Sequence, residues 1–268
     1  MSTFAESIVL NADAPNKWSG EADPNYAHPG GRFGGWTAAA LIEAVRREPG
    51  ERGPPLSLTM LYLDPIKDGP VEIGTRLLRA GKRIQFWRAE LRQGETLCAH
   101  AQITNGVRSE APENFTDAEM PDVPPPQAEQ LLEGTAPIPF LQQFQIRWIT
   151  ASPLNLKDQG DKAETQTWVR DAHGRPLDNV LLAAMADLTP PRVLFHRKTS
   201  PWIMASTISM SVHFHATPEE LERVGTDFVL SDVKCRRCEG GYFSHELKLW
   251  SRDGALLAAS EQVAVYKG

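Results

Sequence analysis

One carboxylate in this sequence stands where ionisation would be costly. Asp187 closes the run DNVLLAAMADL (residues 178–188), whose apolar residues recur at helical spacing on most faces, so the helix must be buried. Such a group can turn to solvent, pair with the nearby Arg192, or stay in apolar surroundings. In the last case desolvation raises its pKa toward the working range of a general base. Gly34 and Gly35 open a second run of the same kind, GGWTAAALIEAVR (residues 34–46). Free N–H groups at a helix start favour an anionic or carbonyl oxygen, although two glycines equally permit close approach to a neighbouring element.

Other reactive residues point to less. Cys235 and Cys238 form a lone C-x-x-C in a segment that reads as strand and turn, with no second pair of zinc ligands, so they read as incidental thiols. His213 and His215 share one face of a strand, but no third ligand stands at metal-site spacing. No metal or redox cofactor is expected. Arg79, Lys82 and Arg83 form a local basic cluster able to hold a phosphate. GGRFGGW lacks the spacing of a phosphate-binding loop, and no G-x-S-x-G marks a nucleophile elbow.

The elements that carry these residues occur twice. Each half reads as a strand (ESIVLNA, then FQIRWITA), a loop, a buried helix and a run of alternating strands. Each half ends in a long hairpin, turning at Gln93-Gly94 and at Arg252-Asp253-Gly254. Aligning the hairpins on their turns sets LCAHAQ on LAASEQ and Gln102 opposite Gln262. Between the halves, Pro112, Pro121, Pro124, Pro125, Pro126 and Pro137 favour an extended connector. The expected organisation is an N-terminal repeat over 1–110, a connector over 111–137 and a C-terminal repeat over 138–268. The fold class is α+β, with each antiparallel sheet wrapped around its own central helix.

Length and composition agree. The 268 residues suffice for two cores, and 41% apolar with 23% charged residues is an ordinary globular mix. The net charge of −6, with both signs interspersed, gives no footprint for nucleic acid. No apolar run approaches the roughly 20 residues of a membrane span. The first residues carry no basic stretch followed by an apolar core, so a cytoplasmic location is expected. Unpaired sheet edges favour a homodimer or larger homo-oligomer.

With this order laid out, the sequence resembles the acyl-CoA thioesterase II family of double hotdog proteins. RFGGWTAAAL and LYLDP carry the likeness in the first half. The Ala-Asp helix end, the T-I-x-x-S-x-x-F-H strand and the A-x-S-x-Q strand carry it in the second. The resemblance implies an acyl-CoA substrate and a hydrolytic trio of Asp187, Thr207 and Gln262; Gly34, Gly35 and Trp36, at the start of the first-half helix, are the expected substrate-binding residues. Ser209 and Met210 depart from the family pattern, which often has an acidic residue and a His there, and Leu188-Thr189-Pro190-Pro191 replaces a more aromatic exit. Thioester hydrolysis needs a water held against a carbonyl carbon, a base for its proton, and donors where charge develops on oxygen. Two other readings remain. An enoyl-CoA hydratase-like lyase needs a second proton-transfer group, and the fifth position after Asp187 is Arg192 instead of His. A non-catalytic acyl-CoA or apolar-ligand binder needs only the groove.

Overall fold

The computed structural model describes residues 3–128, 132–133, 137–150, 162–197 and 203–267. The first half holds α1 (Phe4–Ser7), β1 (Asn11–Ala14), β2 (Lys17–Ala22), β3 (Ala27–His28), β4 (Gly31–Arg32) and α2 (Gly34–Arg46). The strands β5 (Pro55–Tyr62), β6 (Gly69–Ala80), β7 (Ile84–Gln93) and β8 (Thr96–Gly106) complete it. The second half holds β9 (Leu132–Glu133), β10 (Phe144–Trp148), β11 (Glu164–Asp171), α3 (Asn179–Met185), α4 (Leu194–Arg197) and β12 (Met204–Phe214). It ends with α5 (Pro218–Val224), β13 (Val229–Glu239), β14 (Tyr242–Trp250) and β15 (Leu256–Lys267).

The chain is a double hotdog of the α+β class: in each repeat an antiparallel sheet curls around one buried helix. The two sheets also run into one another. The thirteen-strand order is β1-β2-β6-β7-β8-β5-β12-β15-β14-β13-β11-β10-β9, with β5 and β12 paired antiparallel across the joint and Met60 opposite Met210. That pairing removes one free edge from each repeat. The helices α2 and α3 then pack directly on each other beneath the joint.

Local chemistry explains where the elements begin. Asp178 caps α3, its side chain accepting from the N–H of Leu181 at 2.8 Å. At the other end, Pro190 and Pro191 prevent continuation. α2 has no side-chain cap, because Phe33 precedes it, so its first-turn N–H groups stay available. The expected strand over ESIVLNA does not form. Thr3 and Glu6 close a capping box that winds Phe4–Ser7 into α1, and the strand starts only at Asn11. The proline-rich segment runs without helix or strand from residue 107 to 125, and it is packed. Met120 and Val123 lie on a cluster around Trp168, Phe228 and Trp250, and the Trp168 indole donates to the Pro124 carbonyl at 2.9 Å. The expected connector also covers 129–131 and 134–136, outside the described residues.

The alignment of Gln102 with Gln262 is corrected by the strand register. Met60 and Met210, which face each other at the joint, pair on their other sides with Ala101 and Gln262. The first-half counterpart of Gln262 is therefore Ala101, and Gln102 points to solvent. The cause is unequal turns. Gln93 pairs with Thr96, whereas Trp250 pairs with Leu256, and a bulge interrupts each hairpin near its turn. A one-residue slip moves a side chain to the opposite face.

Among the described residues no helix is long and apolar enough to cross a membrane.

Candidate active site

Asp187 follows α3, after the cap residue Ala186, and only 9% of it is exposed. Thr207 on β12 donates to its Oδ1 at 3.2 Å and lies 3.3 Å from Gln262 Oε1. A threonine hydroxyl has one hydrogen, so it satisfies one of these acceptors and leaves the other open to a small molecule. Gln262 on β15 is itself fixed, its Nε2 donating to the Ala186 carbonyl at 2.8 Å and to Met210 Sδ at 3.4 Å. Ser260 Oγ donates to the same Ala186 carbonyl at 3.1 Å. The last strand thus takes up an orphan carbonyl of α3 and holds the aspartate beside it. Asp187, Thr207 and Gln262 meet through Thr207.

A bulge makes this meeting possible. On β12 the buried side chains are Met210, Val212 and Phe214, so strict alternation would turn residue 208 inward and Thr207 out. The register shifts between Thr207 and Ser209, leaving Ile208 as the extra residue and turning Thr207 toward Asp187.

The electrostatics follow from burial. Desolvation raises the Asp187 pKa to about 7, against hydrogen bonds from Thr207, the Gly35 N–H and Gln262 that favour the charged form. The N–H of Gly35, on the first turn of α2, is thus spent on the carboxylate of the other repeat. Burial likewise holds the Tyr62 phenol well above its usual range, with the Asp187 charge adding to it, and its hydroxyl donates to the Gly34 carbonyl at 3.0 Å.

Asp187 and Thr207 open on a cavity of about 560 Å³ lined from both repeats, with Gln262 behind them. Apolar side chains dominate its wall, among them Ile66, Phe140, Leu141, Ile146, Val233 and Phe243. Asp187, Thr207 and Gly34 line it, whereas Gly35 and Trp36 do not. Trp36 is a core residue: it is fully buried and its indole donates to the Ser7 carbonyl at 3.0 Å, so the expectation that it touches substrate is not met. Gly35 touches Asp187 through its backbone alone. Arg192 does not pair with Asp187. Its Nε donates to the Pro190 carbonyl at 2.9 Å and its Nη1 to Thr165 at 2.8 Å.

Sequence reasoning passed over two residues. His245 on β14 is the cross-strand neighbour of Gln262 and lines the cavity; burial pushes its pKa to about 3, keeping it neutral. In sequence, Glu43 on α2 aligns with Asp187, three residues beyond the matching Ala39-Ala40 and Ala183-Ala184 pairs. Arg46 and Arg47 both bind it and hold its pKa low. Ala101 and Ala89 occupy the first-repeat positions of Gln262 and His245. Among the described residues, only the second repeat carries a carboxylate in apolar surroundings beside an amide. His213 and His215 are exposed, and no cluster of metal-ligating residues occurs among the described residues. Arg79, Lys82 and Arg83 lie around the β6–β7 hairpin, away from the cavity lining. Cys235 and Cys238 are free thiols on β13.

Comparison with known proteins places this geometry in context. The family model for the acyl-CoA thioesterase N-terminal domain matches residues 23–106, and that for the acyl-CoA thioesterase C-terminal domain matches residues 112–266. A search of curated proteins finds no match. Among solved structures, a conserved protein of unknown function with hot dog fold from Alicyclobacillus acidocaldarius shares 32% identity, with a TM-score of 0.92 over 99% of this chain and 98% of that one. A candidate thioesterase II from Thermobifida fusca YX shares 21% identity at a TM-score of 0.85, covering 100% of this chain and 98% of that one. The tesB protein of Mycobacterium avium subs paratuberculosis shares 19% identity at 0.79, covering 99% and 98%. The last two likenesses speak to the fold.

Proposed function

We propose that this chain, which belongs to the acyl-CoA thioesterase family, hydrolyses an acyl-CoA to the free acid and CoA through a water activated by Asp187. The observation that carries the reading is the convergence of Asp187, Thr207 and Gln262 at 3.2 and 3.3 Å, with Asp187 and Thr207 on the wall of an apolar cavity. Thr207 donates to Asp187 Oδ1, which leaves Gln262 Oε1 free to accept one hydrogen of a water whose other hydrogen points at the carboxylate. Asp187 removes that proton as the water oxygen bonds to the thioester carbon. The tetrahedral adduct then collapses, the C–S bond breaks, and the proton passes from Asp187 to the departing sulfur. A carboxyl group with a pKa of about 7 suits both transfers, since it ionises at neutral pH yet is a stronger acid than an ordinary thiol near 8.5. The hydratase alternative gains nothing from Arg192, which is fully buried and hydrogen-bonded to Pro190 and Thr165.

The reading is tested by release of free thiol from a medium-chain acyl-CoA. Thr207→Val keeps the shape and removes the hydroxyl, and is expected to lower kcat by about 10- to 100-fold with little change in KM. Gln262→Leu removes the acceptor for the water and is expected to cost about 100-fold. Wild-type kcat in both variants would leave the trio without a catalytic role.

A further inference from the structure

Beyond the trio, the inner wall of the cavity changes character. Met210, Gln262, His245 and Cys235 form one row across β12, β15, β14 and β13, each opposite the next, and of these His245 reaches the cavity lining. The row leads from the site to a polar group set in apolar walls: His245, Thr165 and Thr189 line the cavity, with Arg192 directly behind them. These residues are on the buried side of the cavity. Thr165, His245 and Arg192 are buried, whereas Leu63 and Met204 at the rim are half exposed.

Two nitrogens there have no partner among the described residues. His245 Nε2 meets Thr189 Oγ1 at 3.2 Å, but its buried Nδ1 bonds to nothing. Arg192 uses Nε and Nη1 on Pro190 and Thr165, while its buried Nη2 bonds to nothing, and no carboxylate among the described residues pairs with it. A buried guanidinium without an anion, next to an unpaired imidazole nitrogen, is costly unless something completes it. The two lie close enough for the Arg192 charge to act on the imidazole. With Nδ1 protonated, His245 has a donor to offer and its Nε2 accepts from Thr189, within the field of the arginine. A purely hydrocarbon chain would leave both nitrogens unsatisfied. A carboxylate beside His245 would accept a charge-assisted hydrogen bond from Nδ1 and answer the charge of Arg192 behind it.

We propose, on the thioesterase reading above, that the preferred acyl group carries a carboxylate at its far end, received by His245 Nδ1 and by the positive field of Arg192. The acyl chain then runs from the thioester at Asp187 along Val233 and Phe243 to this polar end.

The test compares hexanedioyl-CoA with hexanoyl-CoA, equal in length and different only at the far end. The wild-type enzyme is expected to favour hexanedioyl-CoA at least tenfold in kcat/KM, mainly through KM. Arg192→Met and His245→Phe are each expected to bring the ratio of the two substrates to about one. Equal or better use of hexanoyl-CoA by the wild type overturns the proposal even if the variants do not fold. Should neither thioester be cleaved, the thioesterase reading is what fails, and the free acids decide the subsite. Hexanedioate is expected to raise the wild-type melting temperature more than hexanoate does, and equal shifts overturn the proposal.

Discussion

Asp187→Asn is expected to lower kcat for acyl-CoA hydrolysis by about 1000-fold or more and, at the same time, to stabilise the protein at alkaline pH. The first effect follows from the loss of the base, since an amide cannot take the proton of the water. The second follows from the cost of burying a carboxylate. The folded-state pKa is about 7, against an ordinary 3.8, so between these values the folded protein holds a proton that the unfolded chain has released. Stability from this group is therefore complete in acid, falls as pH rises through the window, and is lost above about pH 7. Three units correspond to about 4 kcal/mol at most. Asparagine does not titrate, and its amide oxygen can still accept from Thr207 and the Gly35 N–H. Urea unfolding at pH 4.5 and pH 8 measures the difference: the variant's advantage over wild type should be small in acid and reach a few kcal/mol at pH 8. Wild-type kcat/KM should meanwhile rise with pH about a midpoint near 7. His245, held neutral by a pKa of about 3, adds nothing to that limb. An advantage independent of pH would mean that Asp187 is not protonated in the fold, and an unaffected kcat would remove it from the mechanism.

Periodicity made the helices legible, because an apolar stripe on most faces is a local property of the chain. α2 spans residues 34–46 as read, and α3 stops at Met185 because Ala186, Asp187 and the two prolines turn the chain toward the last strand. Asp187, Thr207 and Gln262 were assigned through family resemblance, and the fold does bring them together. What could not be read is what depends on strand register. The bulge at Ile208 that turns Thr207 inward has no sequence mark, and unequal hairpin turns misaligned Gln102 with Gln262 by one residue. His245 escaped notice for the same reason: its proximity to Gln262 is a cross-strand relation between two segments of ordinary alternating residues. Glu43 was hidden differently, its sequence position matching that of Asp187 while its two arginine partners cancel the chemistry. The asymmetry of the repeats therefore lies less in which carboxylate is present than in whether a cation is allowed beside it.

The paired glycines at the start of α2 bear on the same question, and substituting them separately should divide stability from catalysis. Helix propensity alone makes alanine better than glycine by about 1 kcal/mol within a helix. Sterics oppose this at both positions, with different neighbours. A Cβ on Gly35 would lie 2.3 Å from the Ala184 carbonyl oxygen and 2.4 Å from the Phe33 ring, so the backbone of α3 itself blocks it. Backbone cannot swing aside, and α2 and α3 must separate under the joint between the repeats. Gly35→Ala is expected to destabilise the fold by about 3 kcal/mol or more, read as a lower urea midpoint, with activity falling as the Gly35 N–H moves off Asp187. A Cβ on Gly34 would instead meet Asp187 Oδ2 at 2.6 Å and Tyr62 Cε1 at 2.9 Å. Both are side-chain atoms able to shift, so Gly34→Ala should cost no more than about 1 kcal/mol of stability while turning the carboxylate away from Thr207 and lowering kcat by about 100-fold. Equal losses of activity and stability in both variants would mean that the glycines serve helix packing alone. A stable Gly35→Ala protein would show that the two helices do not approach as closely as the Ala184 carbonyl requires.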